Sequence, residues 1–225
     1  MAKQEVVGGV SSSMLGMLAN LILKLRSEAI SECELEMFVN RQNPFGVVED
    51  TLAEWSRFFH EIFGLEADLS QIKIPAEKSS FGWLVVVLEG MTAQRLYDKC
   101  RELFGARKYT DRSLNEAVTS DRRGNYAVWF RDRVEADEEL RNKSANDLKG
   151  AGVPGITLEE RLMLELFYWW KTKKNLDIKN VTLCSGSRDS GGRVPYVDWD
   201  GDGLSVVWCS PGHRGDGLRS RQAVS

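Results

Sequence analysis

The sequence predicts an α+β fold, with a helical N-terminal part that contains a small strand–helix–strand unit and a β-rich C-terminal domain. Apolar residues recur at helical spacing through the first third of the 225-residue chain. After Asn180 strict alternation replaces this spacing, and glycine becomes frequent. The glycine-rich break Gly150–Gly155 separates the two parts. We therefore predict a scaffold or partner-docking region over 1–150 and a C-terminal ligand-binding domain over 151–225.

Composition and charge exclude several classes of protein. With 42% hydrophobic and 28% charged residues, the chain has enough apolar material for one or two packed domains. The net charge of -3 provides no basic surface that would neutralise phosphates, so we expect no general nucleic-acid binding. Four cysteines without a Cys-x-x-Cys pair indicate reduced thiols and a cytoplasmic location.

The stretch from Val6 to Leu23 is uncharged and follows Lys3, so it has some features of a signal sequence. Glu5 and Asn20 weaken that interpretation, because export signals carry a basic start and an unbroken apolar run. The apolar residues instead recur at helical spacing: Met14, Leu15, Leu18, Leu21, Ile22 and Leu25. We predict an amphipathic helix that is too polar to span a bilayer, and no membrane partner.

Capping-box spacing predicts where the next two helices begin. Ser31 and Thr51 are each followed three residues later by a glutamate, whose carboxylate can satisfy the first backbone amides. Pro44 is expected to end the first of these helices. The second helix ends at Gly64 and carries an aromatic face that we expect to pack in the core: Trp55, Phe58, Phe59, Ile62 and Phe63.

The middle of the chain predicts the strand–helix–strand unit. The first strand spans Gly82–Glu89 and is rich in β-branched residues, the helix spans Thr92–Phe104, and the second strand spans Lys108–Thr110. The turn before the helix lacks the repeated glycines of a phosphate-binding loop. We therefore expect no nucleotide cofactor.

A further strand is predicted from Tyr126 to Arg133, and an acidic stretch that we expect to face solvent follows it: Glu135, Asp137, Glu138 and Glu139. These carboxylates could hold a metal ion, but no histidine or second cluster accompanies them. Thr157 and Glu160 form another capping box. The helix that begins there is apolar around most of its circumference, so we expect it to lie between two layers of structure.

Two strands near the C terminus each present two different faces. They are predicted at Val194–Asp200 and Leu204–Cys209, with a turn between them. The framework face is apolar: Val197, Trp199, Leu204, Val206 and Trp208. The mixed face combines aromatic, acidic, hydroxyl and apolar groups: Tyr196, Asp198, Asp200, Ser205, Val207 and Cys209. Because folding alone does not explain this mixture, we predict that the mixed face and the loop Ser210–Gly217 bind a ligand.

The same hairpin suggests a calcium site, because Asp198, Asp200 and Asp202 match the first half of an EF-hand loop. The match fails at Cys209, where that loop needs a bidentate glutamate, and a hairpin turn explains the same residues. We predict no metal site and no cofactor. A metal-dependent enzyme or calcium-binding module that uses these three aspartates is the alternative function.

Cys184 and Cys209 raise two further alternatives. Either thiol could act as a nucleophile with His213, but the strand–turn–helix setting of a nucleophile elbow is missing. We therefore predict no catalytic residues and a protein that is not an enzyme. The two cysteines become neighbours if their strands pair, which leaves a disulfide between them open.

The frame of the C-terminal segment consists of LDIKNVTLCSGSR, VP-x-V-x-W, L-x-V-x-W, P-x-x-R and LR-x-R-x-AVS. Over these residues, and less specifically over YAVWFRDRVEADEEL and GITLEERLMLEL, the chain resembles the variable proteins of diversity-generating retroelements, in particular those of candidate-phyla bacteria. Cys184–Arg188 replaces the usual GGSW, and Leu218–Arg221 replaces the usual terminal GFR. The resemblance implies a C-type-lectin-like C-terminal domain, a name that implies neither sugar nor calcium.

In proteins of this kind, reverse transcription that is error-prone at template adenines diversifies a C-terminal hypervariable region. The resemblance therefore implies a non-enzymatic protein whose diversified side chains recognise a protein or another macromolecular partner. The implied ligand-binding residues are those reachable from an asparagine-type codon: Asp189, Arg193, Tyr196, Asp198, Asp200, Ser205, Val207, Cys209, Ser210, Gly212, His213 and Asp216. A different hypothesis is a scaffold protein that acts through its N-terminal helices.

Overall fold

A computed structural model describes residues 6–7, 10–27, 30–39, 46–201 and 203–225. Helices and several small sheets alternate along the chain, which confirms the predicted α+β class. The chain divides into two compact units, Met1–Glu54 and Trp55–Ser225. The predicted division at residue 150 falls within the second unit, where strands from both sides of that residue share one sheet.

The first unit contains a short hairpin and helices. Strands β1 (Val6–Val7) and β2 (Val10–Ser11) pair antiparallel, and the helices are α1 (Ser12–Arg26), α2 (Glu32–Val39) and the first part of α3 (Gly46–Phe63). The predicted N-terminal helix is therefore present as α1. Several of its apolar side chains are 42% to 63% exposed: Met14, Leu15, Met17, Leu18, Ile22 and Leu23. Within the described ranges, no helix has the length and apolar character needed to cross a bilayer.

The capping-box spacings predict one helix start correctly and one wrongly. Helix α2 begins directly after Ser31, as predicted. Thr51 lies inside α3 and not before it, so the predicted start there is wrong. The spacing misleads because a threonine and a glutamate three residues apart also fit the interior of a helix, where they share one face. Gly64 ends α3 as predicted, with a φ of 64°, whereas residues 43–44 and the side chain of Glu34 lie outside the described residues.

The second unit begins with the aromatic half of α3. Its strands are β3 (Phe81–Val87), β4 (Ala106–Lys108), β5 (Thr119–Ser120), β6 (Tyr126–Arg131), β7 (Val181–Leu183), β8 (Ser187–Arg188), β9 (Val194–Asp200), β10 (Gly203–Cys209) and β11 (Leu218–Arg219). Its helices are α4 (Ala93–Phe104), α5 (Leu114–Ala117), α6 (Ala145–Gly150) and α7 (Leu158–Thr172), with a 3₁₀ helix at Glu138–Leu140. The predicted strand–helix–strand order is therefore present as β3, α4 and β4.

A five-stranded sheet organises the C-terminal half of this unit, in the order β11-β7-β9-β10-β4. Strand β9 pairs antiparallel with β7 and β10, whereas β11 and β4 run parallel to their neighbours. Strands β3 and β6 form a separate antiparallel pair, and so do β5 and β8. The two strands of the strand–helix–strand unit therefore belong to different sheets.

Helix α7 lies in the core between two layers, as predicted. The Thr157 hydroxyl accepts from the backbone N–H of Glu160, and the Glu160 carboxylate accepts from the backbone N–H of Thr157, so the predicted capping box is confirmed. From Leu158 to Tyr168, every residue of the helix except Glu159 is buried. The helix contacts β3 and α4 as well as β9 of the five-stranded sheet, which explains why it is apolar around its circumference.

The aromatic face of α3 packs against α7. Trp55 stacks on Phe167 with ring centres 3.9 Å apart, and Phe58 contacts Phe167 edge-on at 5.3 Å. Trp55, Phe58 and Phe59 are fully buried, and the Trp55 indole N–H donates to the carbonyl oxygen of Leu84. The predicted packing role of this face is therefore confirmed.

Four buried charged side chains, which we call the buried ion cluster, join α7 to the end of the chain: Arg161, Glu165, Asp177 and Arg221. Arg161 pairs with Glu165 at 2.6 Å and with Asp177 at 3.0 Å, and Arg221 pairs with Asp177 at 2.8 Å. The Thr182 hydroxyl also donates to the Asp177 carboxylate. Buried charges are tolerated when they are paired and hydrogen-bonded, so removing one member leaves its partners uncompensated.

The acidic stretch after β6 does not face solvent throughout. Asp137 is fully buried, where its carboxylate accepts from the Arg131 guanidinium at 2.5 Å and from the backbone N–H of Gln222 at 2.8 Å. The expectation of a solvated stretch is therefore wrong for Asp137, because Gln222 reaches it from the far end of the chain. Glu139 does lie at the surface, paired with Arg133.

Candidate functional site

The hairpin formed by β9 and β10 sets the geometry of the predicted binding surface. Its strands match the predicted bounds to within one residue. Ser205 lies opposite Asp198, and Val207 lies opposite Tyr196. Because opposite residues of an antiparallel pair point to the same side of a sheet, the mixed-face residues share one side, as the alternation predicts.

The framework face is most deeply buried at its centre. Val197, Leu204 and Val206 are fully buried. Trp199 is half-buried and lies 5.5 Å from the Phe104 ring of α4. This side of the hairpin therefore forms part of the core against α4 and α7, which fixes which side the mixed face presents.

The mixed face is half-buried, except at one position. Ser205 is 1% exposed, and its hydroxyl accepts from Arg107 Nε at 3.1 Å and donates to Asp200 Oδ2 at 2.9 Å. Arg107 also forms an ion pair with Asp200. Ser205 therefore supports the side chains around it and contributes little surface of its own.

The end of the mixed face near Cys209 covers a small apolar cluster. Tyr196 and Cys209 pack against four buried residues: Ala145, Leu183, Val194 and Leu218. Tyr196 is placed there by β7, because Leu183 pairs with it across the strands. The Tyr196 side chain is therefore packed on one side in the free protein, which restricts its motion.

Two further residues, which the sequence pattern does not predict as part of the site, lie beside the mixed face: Arg107 in β4 and Tyr109 directly after it. Arg107 aligns with Ser205 in the parallel β4–β10 pair, and the backbone N–H of Tyr109 donates to Val206 at 3.0 Å. Tyr109 is 62% exposed, and the Arg107 guanidinium lies 5.9 Å from its ring centre. No local pattern could reveal this placement, because 98 residues separate Arg107 from Ser205.

Within the described part of the chain, Asp200 on this face forms an ion pair, whereas Asp198 forms none. Its Oδ1 atom is enclosed and forms no hydrogen bond with the described residues. Burial raises the pKa of Asp198, the nearby Asp200 raises it further, and Arg107 only partly offsets both effects. In the free protein, the negative charge of ionised Asp198 therefore destabilises the folded state.

Two loops extend the predicted site at the end of the hairpin opposite its turn. In the first, the Asp189 carboxylate accepts from the backbone N–H groups of Gly191 and Arg193 and from Arg193 Nε, at 2.7 to 2.9 Å. Burial opposes ionisation of Asp189, but these bonds outweigh it and lower its pKa. Asp189 therefore shapes its loop, whereas the Arg193 side chain is 63% exposed.

The second loop, Ser210–Gly217, presents four exposed members of the predicted site: Ser210, Gly212, His213 and Asp216. Arg214 anchors the loop, because its guanidinium donates two hydrogen bonds to the Asp147 carboxylate at 2.5 and 2.7 Å. These bonds lower the Asp147 pKa. Asp147 in turn caps helix α6, so the arginine of the P-x-x-R motif fixes the loop to a helix.

The structure gives little support to a nucleophilic cysteine or to a metal site. Cys184 and Cys209 are free thiols, and burial raises the pKa of both, which disfavours the reactive thiolate. Across the part of the chain that is described, no group of three His, Cys, Asp or Glu side chains is arranged to hold a metal ion. Asp202 of the alternative calcium site lies outside the described residues.

A separate cavity of about 380 Å³ opens near the start of α7. Glu159, Ser120, Arg122 and Tyr126 are among the residues that line it. Burial raises the pKa of Glu159, and the Ser120 hydroxyl, which donates to its carboxylate, only partly offsets the effect. None of the predicted ligand-binding residues lines this cavity, so it is distinct from the mixed face.

Comparisons of the chain with protein-family models, with curated proteins and with solved structures give no match. The candidate site is therefore defined by its own geometry. It consists of the mixed face, of Arg107 and Tyr109 beside it, and of the two loops that flank β9 and β10.

Proposed function

We propose that this chain is the variable protein of a diversity-generating retroelement, and that the mixed face and its two loops recognise a macromolecular partner, a protein. In this proposal the chain is a cytoplasmic, non-enzymatic binding protein, and residues 151–225 supply most of a C-type-lectin-like ligand-binding surface.

One observation carries the proposal: the gaps in the sequence frame coincide with the mixed face. In VP-x-V-x-W the unspecified positions are Tyr196 and Asp198, and in L-x-V-x-W they are Ser205 and Val207. All four lie on the same side of the hairpin. The specified positions on the opposite side face the core: Val197, Trp199, Leu204, Val206 and Trp208. Val194 lies on the mixed-face side, where it is buried in the apolar cluster with Tyr196 and Cys209. Positions that differ between related chains would then be those that packing does not constrain.

The other frame residues support the same division. Asp177 and Arg221, from LDIKNVT and LR-x-R, belong to the buried ion cluster. Gly186 of CSGSR leaves no room for a side chain, because a Cβ atom there would lie 2.7 Å from the carbonyl oxygen of Gly155. The frame therefore specifies the scaffold, and the residues between its motifs are free to specify a ligand.

The chemistry of the surface favours a protein partner. Tyr196 and Tyr109 supply large, rather rigid amphipathic rings, which are enriched where proteins recognise proteins. Asp198, His213 and Arg193 add polar groups that can be exchanged one by one without disturbing the core. Such a surface suits recognition by contact more than it suits conversion of a small substrate.

Two randomised libraries test the proposal. The first varies exposed or half-buried positions of the site: Tyr196, Asp198, Val207, Ser210, His213 and Asp216. The second varies the same number of scaffold positions: Val197, Leu204, Val206, Leu183, Asp177 and Arg221. We expect most members of the first library, and few of the second, to remain folded by protease resistance, because only the second disturbs packing or buried charge.

The folded members of the first library are then selected against a panel of purified immobilised proteins. We expect distinct members to bind distinct proteins, with dissociation constants in the micromolar range or lower. Equal loss of folding in both libraries, or a folded first library that yields no binder, would contradict the proposed function.

A further inference from the structure

The side chains of the mixed face form two rows across three strands. The β4–β10 and β9–β10 registers place Arg107, Ser205 and Asp198 in one row. In the next row Val207 lies opposite Tyr196. Tyr109, the residue directly after β4, adjoins this row, because its backbone N–H donates to the carbonyl oxygen of Val206 at 3.0 Å. A charged row thus lies directly beside a row that is aromatic at both ends.

In the first row the positive charge of Arg107 is paired with a carboxylate, whereas the negative charge of Asp198 has no ion-pair partner among the described residues. The Arg107 guanidinium pairs with Asp200 and donates to Ser205, so much of its positive charge is already committed. Asp198 has no ion pair, and its Oδ1 atom has no hydrogen-bond donor within the described residues. An enclosed carboxylate oxygen without a donor makes the ionised group costly. A partner cannot reach Oδ1 itself, but Asp198 as a whole is only half-buried, so a positive charge at its exposed side would stabilise the ionised carboxylate.

The second row strengthens the preference for a cation. The faces of tyrosine rings attract ammonium and guanidinium groups, and more so where water is partly excluded. Tyr109 already has the Arg107 guanidinium 5.9 Å from its ring centre. Tyr196 is half-buried and packed on one side against the apolar cluster, so its ring offers a face of restricted motion next to Asp198.

We infer that Asp198, with Tyr196 and Tyr109 beside it, receives the basic side chain of an arginine or lysine presented by a protein partner. The inference rests on the proposed function, and it names the chemical group that the surface of this particular chain binds. A divalent metal ion would need three or more ligands, whereas a guanidinium or ammonium group requires one carboxylate and is stabilised further by aromatic rings.

An NMR titration of the ¹⁵N-labelled full chain tests the inference with two probes. The first is N-acetyl-arginine N-methylamide, and the second is N-acetyl-citrulline N-methylamide, which has nearly the same shape and no charge. We expect the arginine probe to shift the amide signals of β9 and β10, and to bind at least about fivefold more tightly than the citrulline probe.

Two variants with the same change in charge locate the effect. Asp198→Asn is expected to reduce the preference for arginine to less than about twofold. Asp132→Asn removes an exposed carboxylate that lies outside the candidate site, and it is expected to keep the preference. Asp198→Asn should melt at or above the wild-type temperature, because burial and Asp200 raise the pKa of Asp198 and its charge therefore destabilises the fold.

The outcomes separate this inference from the proposed function. Equal binding of both probes, binding of neither, or an arginine preference that survives Asp198→Asn would each overturn the inference. The library experiment does not depend on which residue occupies position 198. Binders from that library together with a negative titration would reject the cation site alone, whereas a library without binders would reject the binding function itself.

Discussion

Replacing Asp177 by asparagine is expected to lower the free energy of unfolding by about 3–5 kcal/mol, because it removes the carboxylate that compensates two buried guanidinium groups. Asp177 pairs with both Arg161 and Arg221, and all three side chains are fully buried. Asparagine keeps the shape of the side chain and tolerates the left-handed backbone at this position, where φ is 53°. The measured loss therefore reports the charge and not backbone strain.

Glu139→Gln provides the matched control, since it makes the same change in charge at an exposed pair. Glu139 and Arg133 are 2.6 Å apart, with side chains that are 51% and 39% exposed. Pairs of this kind contribute about 1 kcal/mol or less, and urea denaturation of both variants gives the comparison. Similar losses for the two variants would show that the buried ion cluster does not hold the C-terminal segment in place.

The same comparison has a predictable dependence on pH. Burial alone would raise the pKa of Asp177, but Arg221 and Arg161 outweigh it, and the pKa is lowered. A carboxyl group whose folded pKa is lowered contributes stability that is present above its unfolded pKa, about 3.9, and is lost as the pH falls. The difference between wild type and Asp177→Asn should therefore shrink in acid below about pH 4.

Val206→Ala is expected to cost about 2–3 kcal/mol, whereas Val207→Ala should cost less than about 1 kcal/mol. The two valines are neighbours in β10 and lose the same atoms. Val206 is fully buried on the framework face and pairs with Val197, whereas Val207 is half-buried on the mixed face opposite Tyr196. Chemical denaturation of both single variants measures the contrast.

The pair of variants isolates burial from residue type and from strand position. A larger loss for Val207→Ala would mean that the mixed face, and not the framework face, carries the packing of the hairpin. Comparable losses would mean that both faces are packed, which would leave no side of the hairpin free to vary.

Local patterns predict the parts of this fold that local physics determines. Helix α7 follows from a capping box and an apolar surface, and the β9–β10 hairpin follows from alternation around a short turn. Local sequence patterns do not reveal which segments pair when they are far apart in the chain. Strand β4 joins β10 in parallel, and Gln222 returns to cover Asp137, so neither Arg107 at the site nor the burial of Asp137 could be predicted.

The alternation also predicts the side of the sheet on which a residue lies, but not how much of it remains exposed. Ser205 shares its side with Tyr196 and Asp198, yet Arg107 and Asp200 enclose its hydroxyl. Asp189 likewise lies in a surface loop, but its carboxylate accepts hydrogen bonds from backbone N–H groups of the same loop. Some polar residues of one face are available to contact a ligand, whereas others hold neighbouring side chains in place. Only the residues around each of them show which role it has.

Sequencing the final coding segment and its flanking DNA from many cells of one population tests the division between scaffold and variable surface most directly. We predict substitutions concentrated at the codons of the mixed face and its loops, at adenines of a nearby near-copy that lies beside a reverse-transcriptase gene. The codons of Val206, Asp177 and Arg221 should stay unchanged. Substitutions spread evenly over buried and exposed codons, with no near-copy beside the gene, would contradict the proposal.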